Sequence, residues 1–403
     1  MKVLYCTSVF LDYRIPFFKR LVKLFKGEFY VMYSPRRYQL IHREDLVEKI
    51  HEELGENAIA FNGDHLFCTK EMSFKRMSYE HGKKIPITRG LIKAVGKVKP
   101  DVLITEGFFQ WTPLVTLYAT LHRIPVYMGY ERTPWTERNS TFLHKWHRKF
   151  TDIFMTGYLV NGSETKKYLE SLNIKKEKIH ITGMSADSAG LANAVHDLDH
   201  GADSELLKKL KEKKEKVIVY SCSLRPLIYL FIGQIVERKG IRFLLNAWGK
   251  HIKVYPNDIL LLVGKGDLLE KFQKLYADEK SIVFTGRVNY SDIYKYYAVA
   301  DVFINPTIED NWSLVIPEAM ACGLPVTTSI YNGCHVELIK EGVNGFIFDT
   351  FKEETIVTAL GNFHGRDLQA MGKASVEIER EFDTEHCAQR EFDAISDKNE
   401  TKK

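Results

Sequence analysis

Twice along the chain, short apolar runs of strand length alternate with longer amphipathic stretches, and that alternation admits few architectures. In the first half the runs are residues 1–6, 29–33, 101–105, 125–130, 153–160 and 179–182. In the second half they are 227–233, 259–263, 281–285, 302–305, 325–328 and 345–348, with helical patterns such as 241–255 between them. Short runs that are apolar throughout suit strands covered on both faces, and the amphipathic stretches supply the cover. The pattern predicts α/β architecture in both halves, each a doubly wound parallel sheet with ligands bound outside the carboxyl ends of its strands. A length of 403 residues supports two or three such cores.

Between the halves, residues 185–216 have the composition of a linker: Ser-Ala-Asp-Ser-Ala-Gly, then His196-Asp-Leu-Asp-His200, then a Lys/Glu run over 207–216 expected to end as an exposed helix. The expected division is therefore a first domain over 1–184, a linker over 185–226, a second domain over 227–375 and a C-terminal helix or tail over 376–403. Hydrophobic residues at 45% and charged residues at 27% exclude disordered and low-complexity classes. No stretch reaches the roughly 18 uninterrupted apolar residues of a membrane span, and the N-terminus enters a strand at once, without a secretory h-region. Six cysteines (Cys6, Cys68, Cys222, Cys322, Cys334, Cys387) form no C-x-x-C pair, which suits a reducing compartment, so a cytoplasmic location is expected.

Charge is unevenly distributed. Residues 1–183 carry 30 Lys/Arg against 19 Asp/Glu, and the remainder 27 against 33. A basic half is compatible with a solvated surface, a nucleic-acid footprint or a patch that meets anionic lipid. The pattern over 15–26 interleaves Phe17, Phe18, Leu21, Val22 and Phe25 with Lys19, Arg20, Lys23 and Lys26, as a helix lying on an anionic membrane would, although a buried apolar face explains it equally. Phe74-Lys-Arg-Met77 and Phe142-Leu-His-Lys-Trp-His-Arg-Lys149 add basic and aromatic character.

The chemistry concentrates in Pro306-Thr-Ile-Glu309-Asp310-Asn-Trp312-Ser313-Leu314-Val315-Ile-Pro-Glu318-Ala-Met-Ala-Cys-Gly323-Leu-Pro-Val326. It follows a strand, opens a helix near Ser313 to Pro317 and ends it at Gly323, with Pro allowed in a first turn and Gly past the last. The carboxylates thus crowd a helix start, whose free N–H groups suit a phosphate while the carboxylates accept sugar hydroxyls. Asp310 and Glu318 would lie on the order of 10 Å apart, enough for both ends of a nucleotide-sugar. For any one carboxylate alone, ordinary capping explains as much.

The segment from Glu309 to Val326 resembles the signature of retaining glycosyltransferases of family 4, whose GT-B fold is two Rossmann-like doubly wound domains facing a central cleft. Supporting elements are Gly233-Gln-Ile-Val-Glu-Arg238-Lys239-Gly240, Gly264-Lys-Gly266, Phe284-Thr-Gly286-Arg287-Val288, and Asn332-Gly333 to Glu337 followed by Gly342-Val-Asn-Gly-Phe346. The resemblance is dense over about 227–350. It implies that Lys239, helped by Arg238 and by the Gly233 and Gly264 turns, holds the donor diphosphate; that backbone N–H groups of Ser313, Leu314 and Val315 complete the neutralisation; and that Arg287 and Val288 lie near the base. Glu318 would take the ribose hydroxyls and Asp310 those of the transferred sugar. The sequence departs from the usual form in three places: Asp310 stands for the leading Glu, with Glu309 beside it as a rival; Gln234 replaces an Arg; and Asn311-Trp312-Ser313 replaces a Gly-x-Gly, which would narrow the pocket.

In the first domain the turn after the first strand offers Tyr13 and Arg14, and Glu106 follows another strand. Gly129-Tyr-Glu131-Arg132 opens a loop just past a third. The resemblance directs these to the acceptor side of the cleft, with Glu131 nearest the reaction, although local ion pairing explains Glu131 and Arg132 as well. It also implies a C-terminal helix that crosses back to the first domain. No metal or cofactor is expected: the Asp197-x-Asp199 string flanked by His196 and His200 reads as a surface loop, and a helix terminus takes the place of a cation. The implied activity is retaining transfer of a sugar from a nucleoside-diphosphate-sugar to a glycan or lipid-linked saccharide. A nucleotide-sugar epimerase of the same fold is the alternative. A nucleic-acid partner is not expected, since no RNA- or DNA-binding motif is present and the acidic half repels phosphate.

Overall fold

A computed structural model describes residues 1–65, 87–108, 111–186, 188–197 and 225–400, with the side chains of 65, 87 and 398–400 left out. Two parallel sheets form its centre. The first contains β1 (Val3–Cys6), β2 (Phe29–Tyr33), β3 (Ala58–Ala60), β6 (Val102–Glu106), β7 (Val126–Tyr130), β8 (Gly157–Val160) and β9 (Ile179–Ile181), in the order β3-β2-β1-β6-β7-β8-β9. A separate two-stranded antiparallel ribbon pairs β4 (Asp64–His65) with β5 (Ile87–Thr88). The second sheet contains β10 (Ile228–Ile232), β11 (Ile259–Val263), β12 (Ile282–Gly286), β13 (Val302–Asn305), β14 (Val326–Ser329) and β15 (Gly345–Phe348), in the order β12-β11-β10-β13-β14-β15. Each order reverses direction once, between β1 and β6 and between β10 and β13, and at such a switch point the loops part to leave a crevice.

Strands β1, β10 and β11 are buried at every residue, which is why they read as unbroken apolar runs. Their side chains divide between two layers on each sheet. Two short elements escape a reading based on apolar runs. Strand β3 is three residues, Ala-Ile-Ala, and the run over 153–160 is an exposed turn at Ile153 and Phe154, just past helix Phe142–Asp152, and then β8.

Helix Ile15–Leu24 starts with Pro16 in its first turn and buries Ile15, Phe17, Phe18 and Leu21. The C-terminal helix Thr384–Glu400 covers it: the Phe25 and Phe392 rings lie 4.8 Å apart, Arg20 pairs with Glu385 at 2.6 Å, and Cys387, Ala388 and Ile395 are fully buried in the same core. The apolar face that the sequence offered to a membrane is therefore occupied by the chain's own last helix. Its basic residues are the solvated side, with Lys19 bonded to Glu53 at 2.6 Å.

The linker and the second boundary also differ from expectation. Residues 185–197 include helix Ser188–His196, which packs on helices Val315–Ala321 and Tyr294–Val299 through Leu191 and is fastened where Ser188 donates to Glu379 at 2.5 Å. Small and apolar residues (Ser-Ala-Gly-Leu-Ala) that resemble a linker in composition make a close-fitting helix against a packed surface. Helix Leu368–Arg380 runs straight through the 375/376 boundary, and the chain turns toward the first domain only at 381–383. The charge run over 207–216, the remainder of the linker and Phe74-Lys-Arg-Met77 lie outside the described residues. Among the described residues no helix is long and apolar enough to cross a membrane.

Candidate functional site

Loops at the carboxyl ends of both sheets meet. After β10 the chain passes Gly233 and reaches Arg238 and Lys239 in a short 3-10 turn ended by Gly240. Gly240 has φ +69°, and a Cβ there would stand 1.9 Å from the Pro306 carbonyl oxygen. Only glycine lets the Lys239 turn lie against the loop after β13. Gly264 plays the same part on β11, where a Cβ would meet the Gly233 carbonyl at 1.8 Å.

The loop after β13 then presents its acids in different directions. Asp310 receives Lys239 Nζ at 2.5 Å and Ser313 Oγ at 3.1 Å, with Arg238 Nη1 at 3.6 Å. Burial works to raise the Asp310 carboxyl, but Lys239, Arg238 and the Ser313 hydroxyl outweigh it and hold it below the usual carboxylate range. Glu309 turns away to Arg138 of the first domain at 2.7 Å. The structure thus gives Lys239 to Asp310 and not to its neighbour.

Ser313 is fixed by Asn305 and Asn332, and helix Val315–Ala321 follows, with Leu314 and Val315 half-buried at its start. Glu318, one turn in, is buried and accepts from Tyr297 at 3.0 Å and Tyr290 at 3.4 Å. Arg287 is exposed just past β12, and Val288 packs on the core beneath helix Tyr294–Val299. Trp312 does not narrow the pocket. Its ring is buried 5.8 Å from Phe382 and against Gly162 of the first domain, where a Cβ would come within 2.8 Å of it. This departure from the usual Gly-x-Gly therefore fills the joint between domains.

The first domain contributes a second cluster. Arg14 and Thr7 both bond the Glu106 carboxylate, Tyr5 donates to it at 3.3 Å, and Arg14 Nη2 reaches the Tyr5 hydroxyl at 3.1 Å. Tyr13, Arg14, Glu106 and Glu131 line one pocket. Burial, then the Glu106 charge, push the Glu131 carboxyl up against the opposing pull of Arg14 and Arg132, and Asp310 across the cleft adds to the rise. Arg132 instead leans toward Glu137 at 3.8 Å, within a first-domain pair that Arg148 completes at 2.8 Å. The pocket also contains Glu391 of the C-terminal helix, which no motif in the sequence singled out. His196 and Asp197 are exposed and bond each other at 3.0 Å; Asp199 and His200 lie outside the described residues.

Direct bonds join the two clusters' domains. Trp135 Nε1 donates to the Ile308 carbonyl at 2.8 Å, its ring lies 4.4 Å from that of Tyr331, and Ser163 N donates to Glu337 at 2.6 Å. Among the described residues, His251, Asp258 and His364 form a buried cluster, with Asp258 Oδ2 accepting from His251 at 2.7 Å and His364 at 2.8 Å. Asp258 immediately precedes β11, so the cluster lies at the amino end of the sheet, away from the cleft.

Residues 226–364 match the family described as glycosyl transferases group 1. The sulfoquinovosyl transferase SQD2 of Arabidopsis thaliana is 25% identical over 323 residues, 75% of this chain and 58% of its own length. A GDP-mannose-dependent alpha-(1-6)-phosphatidylinositol monomannoside mannosyltransferase of Mycolicibacterium smegmatis is 27% identical over 202 residues, 47% of this chain and 52% of its own. The chain thus spans a little over half the length of these relatives. Anabaena Alr3699/HepE, crystallised in complex with UDP, superposes with a TM-score of 0.69 at 14% identity over 98% of this chain and all of its own. That likeness establishes the two-domain GT-B fold.

Proposed function

We propose, from a second domain over 226–364 that belongs to the glycosyl transferases group 1 family, that this chain is a hexosyltransferase drawing on a nucleoside-diphosphate-sugar and acting with retention. The observation that carries the reading is the half-buried Lys239–Asp310 pair with Arg238 beside it, at the switch point of the second sheet. A diphosphate leaving group needs cations that are already in place as its charge grows. Lys239 and Arg238 supply them, and the N–H groups of Ser313 to Val315 add partial positive charge. Asp310, released from part of its bond to Lys239 by the incoming phosphate, is left to accept hydroxyls of the transferred sugar. Glu318, braced by two tyrosines, takes the ribose.

In this scheme the acceptor oxygen bonds to the anomeric carbon on the face from which the diphosphate oxygen departs, and the acceptor's proton passes to that phosphate oxygen. No protein nucleophile, metal or cofactor is assigned a part. Glu131, across the cleft from Asp310, belongs to the acceptor side. The test is calorimetric binding of UDP, GDP and ADP to the wild type and to Lys239→Ala and Glu318→Ala. One nucleotide should bind and be weakened at least about tenfold in both variants, the loss of one charged hydrogen bond being worth that much. No binding by the folded wild type would remove the donor site and with it the reading.

The acceptor we assign is a glycan or lipid-linked saccharide in glycoconjugate or polysaccharide synthesis, met at the cytoplasmic face of a membrane. One relative is named for a phosphatidylinositol-borne acceptor. The chain's own support is helix Phe142–Asp152 and the turn after it, where Phe142 (79%), Leu143 (72%), Trp146 (58%) and Ile153 (70%) are exposed beside Lys145 and Lys149. Exposed aromatics flanked by lysines suit the interface of an anionic bilayer.

A further inference from the structure

Glu391 projects from the C-terminal helix into the first-domain pocket, although it is the farthest of the pocket's residues along the chain. It is 4% exposed, and its Oε1 is buried without a hydrogen-bond partner. The charged and titratable groups that face it are Arg14, Glu106, Tyr5 and, one turn earlier on its own helix, Cys387; the Arg14 guanidinium is already bonded to Glu106 and Tyr5. A buried carboxyl with an unused acceptor atom is costly to keep, and a folded chain gains nothing from it unless something else uses the oxygen.

The pocket has a direction. Glu131 directly follows β7, at the carboxyl end of the first sheet, in the loop whose Trp135 bonds the second domain. Glu391 enters from the C-terminal helix that lies over helix Ile15–Leu24, and the Arg14–Glu106 pair lines the pocket with it. Three carboxyls line the pocket against a single arginine whose charge is spent on Glu106. A phosphate or carboxylate would be repelled there, whereas hydroxyl groups would find acceptors at both ends.

We propose that Glu391 closes an acceptor subsite, accepting a hydrogen bond from a hydroxyl that a neutral sugar unit projects into the first-domain pocket. The assignment rests on the transferase reading, because it treats this pocket as the acceptor side of the cleft. Burial pushes the Glu391 carboxyl up to about 7, so the carboxylate, the stronger acceptor, is only partly populated at neutral pH and gains as pH rises.

The test measures binding of the methyl glycosides of glucose, galactose and mannose, with glucosamine and glucuronic acid as charged comparisons. It is run by saturation-transfer NMR on the full chain, with nucleotide affinity measured in parallel. At least one neutral glycoside should bind, more tightly at pH 8 than at pH 6. Glu391→Gln, which keeps the shape, should weaken it about tenfold while leaving nucleotide affinity unchanged. Equal glycoside affinity in wild type and variant, no neutral glycoside bound, or preference for glucosamine or glucuronic acid would each overturn the proposal. The pH comparison on the wild type does not depend on how the variant folds. Failure of the transferase reading shows separately, as loss of nucleotide binding in the wild type.

Discussion

At the scale of single residues, the second-domain site depends on charges that balance one another. Lys239→Met removes the cation that offsets burial of Asp310, so the Asp310 carboxyl should rise from below its usual range, visible by carbon NMR of a labelled aspartate, while nucleotide affinity falls by about 2 kcal/mol. Glu391 bears on stability in the opposite sense. Its folded value of about 7 stands above that of an unfolded glutamate, so the folded chain holds the extra proton between those values and loses stability as pH rises through that window. Glu391→Gln should therefore melt higher than the wild type at pH 8, by a free energy on the order of 3 kcal/mol, and the gain should vanish near pH 4. Lys239, Asp310 and Glu318 were legible in the sequence because one continuous string and one glycine-bounded turn carry them. Which of Glu309 and Asp310 faces Lys239 was not legible, since it depends on Arg138 reaching across from the other domain. Glu391 was silent for the same reason: its partners lie hundreds of residues away, and its own neighbours spell only an amphipathic helix.

At the scale of elements, two helices look alike in sequence and have opposite fates. Both Ile15–Leu24 and Phe142–Asp152 mix aromatics with Lys and Arg. The first is covered by a helix that arrives from the far end of the chain, and the second is left with Phe142, Leu143 and Trp146 in solvent. Periodicity reveals that an apolar face exists but not what will cover it. Twelve strands of the two sheets were legible as apolar runs; β3 and the β4–β5 ribbon were too short to produce one. Because Trp146 and its stacking neighbour Phe150 are exposed, replacing both with Ser should leave the melting temperature within a degree or two. Sedimentation with vesicles containing anionic phospholipid should fall at least about fivefold, each buried aromatic adding roughly 1 kcal/mol or more. Unchanged sedimentation would remove this helix as the membrane contact. At the other end of the second sheet, Asp258 accepts from two imidazoles and from Leu227 N at 2.9 Å, tying helix Ile241–Val254 and residue 364 to the strand edge. Asp258→Ala strands those buried donors and should cost about 3 kcal/mol in urea unfolding without altering nucleotide affinity at 25 °C.

At the scale of the whole molecule, the chain order and the packing order disagree, and the disagreement couples the domains. Residues 384–400 follow the second domain in sequence but complete the core of the first, placing Cys387, Ala388, Phe392 and Ile395 over helix Ile15–Leu24. The same helix delivers Glu391 to the pocket, and the crossover carries Phe382 against Trp312, between the domains. A chain ending at Asp383 would lose the Phe392 and Ile395 side chains, each worth roughly 1.5–3 kcal/mol when buried. It would also expose Phe17, Leu21 and Phe25 to water. The sum, on the order of 5 kcal/mol or more, rivals the total stability of an ordinary domain. The second sheet keeps its strands, its own two core layers and helix Leu368–Arg380, so its stability should change little. Calorimetric unfolding of the truncated chain should then show two separated transitions, the lower from the first domain. With the proposed donor site in the second domain, nucleotide should raise only the upper one, because a ligand stabilises the unit that holds it. A single transition at the wild-type temperature would mean that the first domain stands without its borrowed helix, and that Glu391 reaches the pocket on an element the fold does not require.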